Sequence, residues 1–309
     1  MDTSTRAQLP SSFPPASPGS SSLSPQDFSH YVGMPDAPVI LDVRRAAKFV
    51  ESPSILAAAQ RCLPEDVAAF ADSRAPGRAI VYCVYGHNVS EDAVRILRDA
   101  GWNATAVAGG IEGGQEGTDT PQDITAWRAN RPLIIPKRPD LGVTGESPSR
   151  WITRERPKID RVACPWLIRR FIDPRAEFIY VKSAMVLAEA QRLNAVAYDI
   201  PGAPITHEGE LCSFDMLLRA FGLERLPSLE ILARIVRGAD TDRLELAPQS
   251  AGLLALSLGL SALHATDDAA MLEAAMPMYD ALHAWCRSRV GGGDETHSWN
   301  PQSMKGAAA

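Results

Sequence analysis

The sequence predicts an α/β domain near its amino end, followed by a second, mainly α-helical domain. Residues 79–82 form an apolar run typical of a buried strand, and apolar side chains then recur at helical spacing from Val89 to Ala100, just before Gly101. A stretch rich in Gly, Pro, Thr and Asp covers residues 113–148 and is typical of a linker. We therefore expect the following order along the chain: a disordered tail at 1–22, a first domain at 23–118, a linker at 119–149, a second domain at 150–290 and a flexible tail at 291–309.

The second domain shows mostly helical spacing, with two short strands. Asp160 to Phe171 fits a helix with Asp160 as a possible N-cap, and residues 177–181 and 195–200 fit strands. Further helices are predicted at residues 212–221, 228–237, 250–260 and 268–289.

Composition limits the classes of partner. The 309 residues are 45% hydrophobic, which is enough for two cores, and the net charge of −6 gives no electrostatic reason to bind nucleic acid. The sequence has no apolar run of transmembrane length and no secretory signal, and its five cysteines lack the spacing of a disulfide scaffold. We therefore expect a cytoplasmic protein without a membrane or nucleic-acid partner.

Cys83 is the first candidate for chemistry. It follows the apolar run and precedes the predicted helix, so its thiol faces a helix N-terminus, where unpaired amides and the helix dipole favour an anion. Such a position favours a nucleophilic thiolate. The alternative is a buried cysteine that ends a strand and has no chemical role.

Four segments, in order, resemble a rhodanese domain, the sulfurtransferase family that carries sulfur as a cysteine persulfide. They are Leu23 to Phe28, the strand Val39 to Arg44 with its Asp42-x-Arg44 ending, the Cys83 loop, and Ala106 to Gly113 with Gly109-Gly110. The resemblance implies a rhodanese-like parallel sheet flanked by helices over residues 23–118. It also implies that Cys83 accepts and donates sulfane sulfur, with Asp42 and Arg44 as supporting residues. The loop that would cradle the persulfide or an oxyanion donor comprises Val84, Tyr85, Gly86, His87, Asn88, Val89 and Ser90.

The same loop excludes a related chemistry. A cysteine phosphatase needs Cys-x5-Arg, so that a guanidinium can bind the phosphoryl oxygens with two hydrogen bonds. The corresponding position here is Val89, and His87 is the one loop side chain that can carry positive charge. Phosphatase activity is therefore not expected.

The second half resembles the C-terminal domain of the ChrB-type chromate resistance proteins. The longest matching segment is Arg156 to Pro174, and shorter ones are His207 to Asp215, Arg237 to Asp242 and Tyr279 to Leu282. The resemblance implies a role in chromate or oxyanion stress. In the members that regulate transcription a different segment precedes this domain, so DNA binding is not carried over.

Charged residues and cysteines in this half suggest a second candidate site, made of Asp160, Arg161, Cys164, His207, Cys212 and Asp240. Imidazole, thiolate and carboxylate groups are ligands for a divalent metal, for which His207, Cys212 and Asp240 are the main candidates. A second interpretation is a redox pocket, in which Cys164 or Cys212 reduces an oxyanion held by Arg161, Arg169 or Arg237. In a third, the cysteines are small buried hydrophobes and the charged residues are caps or ion-pair partners.

Two functional classes follow. In the first, the protein is a sulfurtransferase-type enzyme that uses a Cys83 persulfide, needs no cofactor, and takes a small sulfur donor and a thiol acceptor as partners, in the context of chromate resistance. In the second, it senses or binds chromate or another oxyanion, and its rhodanese module is not catalytic.

Overall fold

The computed structural model describes residues 22–291. Apart from Ser22 and Gly291, the tails predicted at 1–22 and 291–309 lie outside the described residues. Within the described part, no helix combines the length and apolar character needed to cross a bilayer.

The first region is built on a four-stranded sheet in which every neighbouring pair is parallel. In spatial order its strands are β3 (Ala59–Arg61), β1 (Val39–Asp42), β4 (Arg78–Tyr82) and β5 (Asn103–Ala106). β4 is central and its residues Ala79 to Tyr82 are fully buried, as expected for a strand covered on both faces. The predicted parallel sheet is confirmed.

Helices cover both faces of this sheet. They are α1 (Pro25–Tyr31), α2 (Ala46–Glu51), α3 (Val67–Asp72) and α4 (Asn88–Asp99). Ser24 caps α1 by accepting a hydrogen bond from the amide of Asp27, and Pro25 occupies its first turn. α4 buries Ala93, Val94 and Leu97 on one side, so the helical spacing of the sequence places its apolar face on the sheet.

The segment predicted as a linker, residues 119–149, differs from that description because it is folded onto the first region. It contains α5 (Pro121–Ala129) and β6 (Ile134–Pro136), and β6 pairs antiparallel with β2 (Ser54–Leu56). Thr120 caps α5, and Ile135 is fully buried. Its Gly and Pro residues therefore form turns between short elements rather than a free connector.

The second region combines a small parallel sheet with a larger set of helices. β7 (Arg150–Arg154) lies between β8 (Glu177–Val181) and β9 (Val196–Ala197). The helices are α6 (Asp160–Leu167), α7 (Val186–Leu193), α8 (Ser213–Ala220), α9 (Pro227–Asp240), α10 (Ser250–Leu263) and α11 (Asp268–Arg289). A π-helical turn, Ile168–Ile172, follows α6 directly. The prediction of a mainly helical second half is confirmed, although the sequence analysis did not identify β7.

One hydrophobic core runs through both regions. The Phe171 ring occupies the space where a Cβ of Gly33 would lie, and the Gly33 amide donates to the Arg170 carbonyl at 3.1 Å. The Ala58 amide likewise donates to the Phe171 carbonyl at 2.9 Å. The two regions are therefore packed against each other through buried side chains and backbone hydrogen bonds.

Candidate functional sites

Cys83 lies at the carboxyl end of the central strand β4, in the turn that leads into α4. Its side chain is 6% exposed, and the four residues before it, Ala79 to Tyr82, are fully buried. The position of the sulfur is therefore set by a rigid strand on one side and a helix N-terminus on the other.

Polar groups lie close to the Cys83 sulfur. The Gly86 amide donates to Sγ at 3.3 Å. The Ser90 hydroxyl, which donates to the His87 carbonyl at 2.9 Å, lies 3.3 Å from the same sulfur. The amides of Asn88 and Val89 precede the first hydrogen bonds of α4, in which the Ser90 and Glu91 amides donate to the His87 carbonyl, and His87 provides no side-chain cap. This arrangement stabilises negative charge on the sulfur or on a group attached to it.

Gly109 and Gly110 pack their backbone closely against the Cys83 loop. Gly110 has φ +57°, and a Cβ there would lie 2.5 Å from the carbonyl oxygens of Cys83 and Val84. The amides that follow it donate back to the loop, from Ile111 to Cys83 at 3.1 Å and from Glu112 to Val84 at 2.9 Å. The Gly109-Gly110 segment is thus a close backbone support for the loop that carries the sulfur.

An open pocket of about 520 Å³ adjoins this loop. Tyr85, Gly86 and His87 line one side, and Asp119 and Trp127 line another. His87 Nε2 lies 2.8 Å from Asp119 Oδ2. The Gln115 amide, followed by His87, lowers the pKa of Asp119, so this carboxylate is charged and fixes the imidazole at the pocket wall.

The other predicted loop residues occupy distinct places. Val84 and Tyr85 lie in the turn, while Asn88, Val89 and Ser90 form the first turn of α4. The supporting pair Asp42 and Arg44 lies beside the end of β4 and is buried, each side chain being 1% exposed, with Arg44 Nη2 2.6 Å from Asp42 Oδ2. The Tyr82 hydroxyl donates to the same carboxylate oxygen at 2.7 Å. Within residues 22–291 neither member of the pair contacts the Cys83 sulfur. The pair therefore stabilises the ends of strands β1 and β4 rather than the sulfur itself.

The second region gathers acidic residues around one histidine. Asp160 begins α6, Asp199 follows β9, and Asp240 ends α9. His207 Nε2 lies 3.3 Å from Asp160 Oδ2, 3.3 Å from Asp199 Oδ1 and 3.2 Å from Asp240 Oδ2. We call these four residues the His207 cluster. The carboxylates are buried or nearly so, whereas the His207 side chain is 40% exposed and forms the solvent side.

Burial and mutual charge alter the protonation of this cluster. The hydrogen bond with Asp160, with the charges of Asp160, Asp240 and Asp199 adding to it, raises the pKa of His207 to about 9 despite its burial. Burial, followed by the charge of Asp160, raises the pKa of Asp240 to about 8 and also raises the pKa of Asp199. The cluster therefore holds protons near neutral pH that these groups would not hold in water.

Two overlapping sets of potential metal ligands result. The donor atoms of Asp160, Asp199 and His207 lie within 4.8 Å of one another, and so do those of Asp160, Cys212 and Asp240. The structure thus brings together Asp160, His207, Cys212 and Asp240, which the sequence analysis selected as a group. Nitrogen, oxygen and sulfur donors in this number suit a divalent first-row cation.

Asp199 was missed by the sequence analysis. It follows the buried residues Ala197 and Tyr198 and precedes a Pro201-Gly202 turn, and a carboxylate that directly follows a buried strand is a usable signal. Its own φ is +50°, an uncommon backbone state for a residue other than glycine.

The structure places the cysteines and arginines of this region in ways that weaken the redox interpretation. Cys164 is 1% exposed and Cys212 is fully buried, and burial is the first cause that raises the pKa of both thiols. Arg161 Nε lies 3.1 Å from Asp199, Arg169 lies 2.6 Å from Glu273, and Arg237 makes two hydrogen bonds to Asp215. The arginines assigned to an oxyanion are therefore paired with carboxylates of the chain.

Comparisons with known proteins identify the second region. The family model described as ChrB, C-terminal domain, matches residues 151–286. Protein ChrB of Cupriavidus metallidurans is 35% identical over 150 residues, which are 46% of this chain and 44% of that protein. The chain thus spans less than half the length of this relative. The predicted resemblance of the second half to the ChrB-type domain is confirmed.

Solved structures similar to this chain include a rhodanese homologue from Thermus thermophilus. It is 23% identical, with a TM-score of 0.21, over 24% of this chain and 80% of that one. A full-length protein from Lactobacillus plantarum is 22% identical, with a TM-score of 0.25, over 32% of this chain and 72% of that one. The fold assignment of the first region rests on its own sheet order and on the position of Cys83.

Proposed function

We propose that this protein is a sulfurtransferase that carries sulfur as a Cys83 persulfide and acts in chromate resistance. The observation that carries the proposal is the position of the Cys83 sulfur. It lies at the end of a buried parallel strand, faces the N-terminus of α4 and accepts the Gly86 amide at 3.3 Å. The link to chromate comes from the match of residues 151–286 to the ChrB C-terminal domain.

The proposed reaction has two displacements at sulfur. The Cys83 thiolate attacks the sulfane sulfur of a donor such as thiosulfate, so that a new S–S bond forms, the donor S–S bond breaks, and sulfite leaves with the bonding electron pair. A thiolate or cyanide acceptor then attacks the outer sulfur and returns the electron pair to Cys83. The chemistry requires no cofactor.

The surroundings of Cys83 suit both steps. The outer sulfur of a persulfide is an anion, and the Asn88 and Val89 amides, which precede the first hydrogen bonds of α4, favour negative charge at that place. The adjoining pocket of about 520 Å³ is large enough for a small donor and is lined by His87, which offers a ring N–H or a positive charge. The loop has no arginine or lysine, which favours a small donor over a multiply phosphorylated one.

The test is transfer of sulfur from thiosulfate to cyanide by the full chain. Turnover is expected in the wild type and at background level in Cys83→Ser, with mass spectrometry showing one added sulfur on Cys83. Cys62→Ser is a matched control, because Cys62 is also 6% exposed and burial raises its pKa to about 11. Equal turnover in Cys83→Ser, or no turnover and no adduct with several sulfane donors, would overturn the proposal.

A second candidate function is recognition of chromate or another oxyanion without sulfur transfer. The similarity to Protein ChrB favours it, together with a loop whose amides can hold a tetrahedral dianion. It predicts that the wild type forms no persulfide, and that Cys83→Ser binds chromate as tightly as the wild type. The same two proteins therefore distinguish the two functions.

A further inference from the structure

The His207 cluster gathers three buried or nearly buried carboxyl groups around one imidazole. Asp199 has two guanidinium partners, Arg154 at 3.0 Å and Arg161 at 3.1 Å. Among residues 22–291, Asp160 and Asp240 have no arginine or lysine within ion-pair distance. Besides His207, their partners include backbone amides, from Ser213 to Asp160 Oδ2 at 3.2 Å and from Asp160 to Asp240 Oδ1 at 3.5 Å. The Asp160 and Asp240 side chains are 2% and 12% exposed. Carboxyl oxygens without an arginine or lysine beside them can bind a cation, which displaces any protons that they hold, so this place is suited to a cation.

One imidazole nitrogen cannot form hydrogen bonds with all three carboxylates that lie around it. Oxygens from three different carboxylates converge on the single atom His207 Nε2, at 3.2–3.3 Å. A ring nitrogen carries at most one hydrogen and can donate to one oxygen at good angle. The three carboxylates come from three separate places in the fold, the start of α6, the segment after β9 and the end of α9.

One thiol lies close to two of the carboxylates. The buried Cys212 sulfur is within 4.8 Å of oxygens of Asp160 and Asp240. Cys164, one helical turn after Asp160, is also buried but belongs to neither ligand set. The cluster therefore includes a buried sulfur ligand in addition to its carboxylates and imidazole.

We propose that the His207 cluster binds one divalent first-row transition-metal cation. The ligands are His207 Nε2 and carboxylate oxygens of Asp160, Asp199 and Asp240. The Cys212 sulfur, which is close to Asp160 and Asp240, is a further candidate ligand. Imidazole and carboxylate together suit Mn²⁺, Fe²⁺ and Zn²⁺, whereas a purely carboxylate site would suit Mg²⁺ or Ca²⁺. The partly exposed His207 gives the ion a path from solvent. The proposal is independent of sulfur transfer at Cys83.

Direct metal binding by the full chain tests it. The Cys83→Ser variant is used throughout, so that the loop thiol contributes nothing. Protein stripped with a chelator is titrated separately with Mn²⁺ and Zn²⁺ by calorimetry, and retained metal is counted by plasma mass spectrometry after desalting. One ion per chain is expected for at least one of the two metals.

Three further substitutions locate the site. Asp240→Asn and His207→Ala should each weaken binding by about 100-fold or more, since loss of a ligand costs at least as much as loss of a group that supports one. Asp242→Asn is the matched control, because Asp242 is exposed, lies two residues farther on and belongs to neither ligand set. It should bind as the starting protein does.

Thermal unfolding separates a lost ligand from a lost fold. The metal should raise the melting temperature of the Cys83→Ser chain and of its Asp242→Asn variant, but not that of the Asp240→Asn variant, whose unfolding without metal stays cooperative. Absence of stoichiometric Mn²⁺ or Zn²⁺ from the Cys83→Ser chain would overturn the proposal. Undiminished binding in both Asp240→Asn and His207→Ala would overturn it as well.

Discussion

The Cys83 loop takes its groups from one stretch of the chain, Cys83 to Ser90, whereas the His207 cluster joins residues up to 80 positions apart. In the loop the contacts to the sulfur come mainly from the backbone, through the Gly86 amide and the N-terminus of α4. In the cluster the contacts to His207 are between side chains, although backbone amides of Ser213 and Asp160 also donate to two of the carboxylates. The two sites therefore depend on different features of the sequence, glycine conformation in one and the identity of four side chains in the other.

This difference leads to a first prediction, in which glycine substitutions should affect the two sites unequally. Gly110→Ala should lower sulfur transfer by about 100-fold or more, because displacing a reacting group by roughly 1 Å can have that effect. The new Cβ would lie 2.5 Å from the carbonyls of Cys83 and Val84, at a residue with φ +57°. Gly209→Ala, two residues after His207 and at a similar φ of +58°, has no atom within 4 Å of its Cβ and should leave metal binding within about threefold of wild type.

Gly117→Ala is the control for backbone conformation alone. Gly117 has φ +83°, and no atom lies within 4 Å of its Cβ, so it carries the conformational cost, about 1–2 kcal/mol, without the clash. Steady-state transfer is measured below the melting temperature of each variant. Rates for Gly110→Ala and Gly117→Ala that agree within twofold would show that the Gly109-Gly110 support does not set the position of the sulfur.

A second prediction concerns a residue that lies between the two regions. His283 is 4% exposed and lines a cavity of about 810 Å³ whose walls come from both regions, including Ser29 and Ser54 from the first. Burial, and after it the charge of Arg287, lowers the pKa of His283 to about 3, with Asp280 opposing the shift. Ser228 Oγ lies 3.2 Å from its Nε2. The folded protein thus keeps this imidazole neutral well below pH 6.5.

The sign of the pH effect follows from that depressed pKa. Below about pH 6.5 the unfolded chain takes up a proton at His283 that the folded chain does not, so its contribution to stability is lost as the pH falls toward 3. At pH 4.5 this amounts to about 2–3 kcal/mol of unfolding free energy. Urea unfolding of wild type and His283→Gln at pH 7.5 and 4.5 measures it, the variant losing less on acidification.

The same experiment asks whether the two regions unfold together. Because one core runs through both, fluorescence and circular dichroism should give coincident transitions at each pH. Equal losses in wild type and His283→Gln would contradict the assigned role of His283. Two separated transitions would show that the regions are energetically independent despite the Gly33–Phe171 contact.

The loop comes from one stretch of the chain and the cluster from distant residues, and this contrast decides how much of each site the sequence could predict. The strand, the turn with Cys83 and α4 are consecutive, so local apolar spacing was sufficient to place the sulfur at a helix N-terminus. For the cluster, the sequence supplied Asp160, His207, Cys212 and Asp240 as candidates, but their convergence depends on how α6, α8 and α9 pack. Asp199 was missed because the predicted strand, residues 195–200, included it, whereas β9 ends at Ala197 and leaves Asp199 in the segment that follows.

The folded connection between the regions illustrates the same limit. Residues 119–149 have the composition of a linker, yet β6 pairs with β2, whose residues come some 80 positions earlier in the chain. Local composition contains no information about such a partner, since pairing depends on burial of Ile55 and Ile135 in a shared core. The short strands at 54–56 and 134–136 could not be identified without that contact.

The third and smallest predicted effect concerns His87, the one loop side chain able to carry positive charge. Its ring lines the open pocket and is fixed by Asp119 at 2.8 Å. Gln keeps a hydrogen bond to Asp119 but cannot be charged, so His87→Gln should raise KM for thiosulfate about 2- to 10-fold and leave kcat within twofold. Initial rates across thiosulfate concentrations measure it, with His264→Gln, outside both sites, as the control. A fall in kcat at unchanged KM would mean that His87 acts on the reacting sulfur. The loop would then depend on a side chain as the His207 cluster does, and the contrast between a backbone site and a side-chain site would no longer hold.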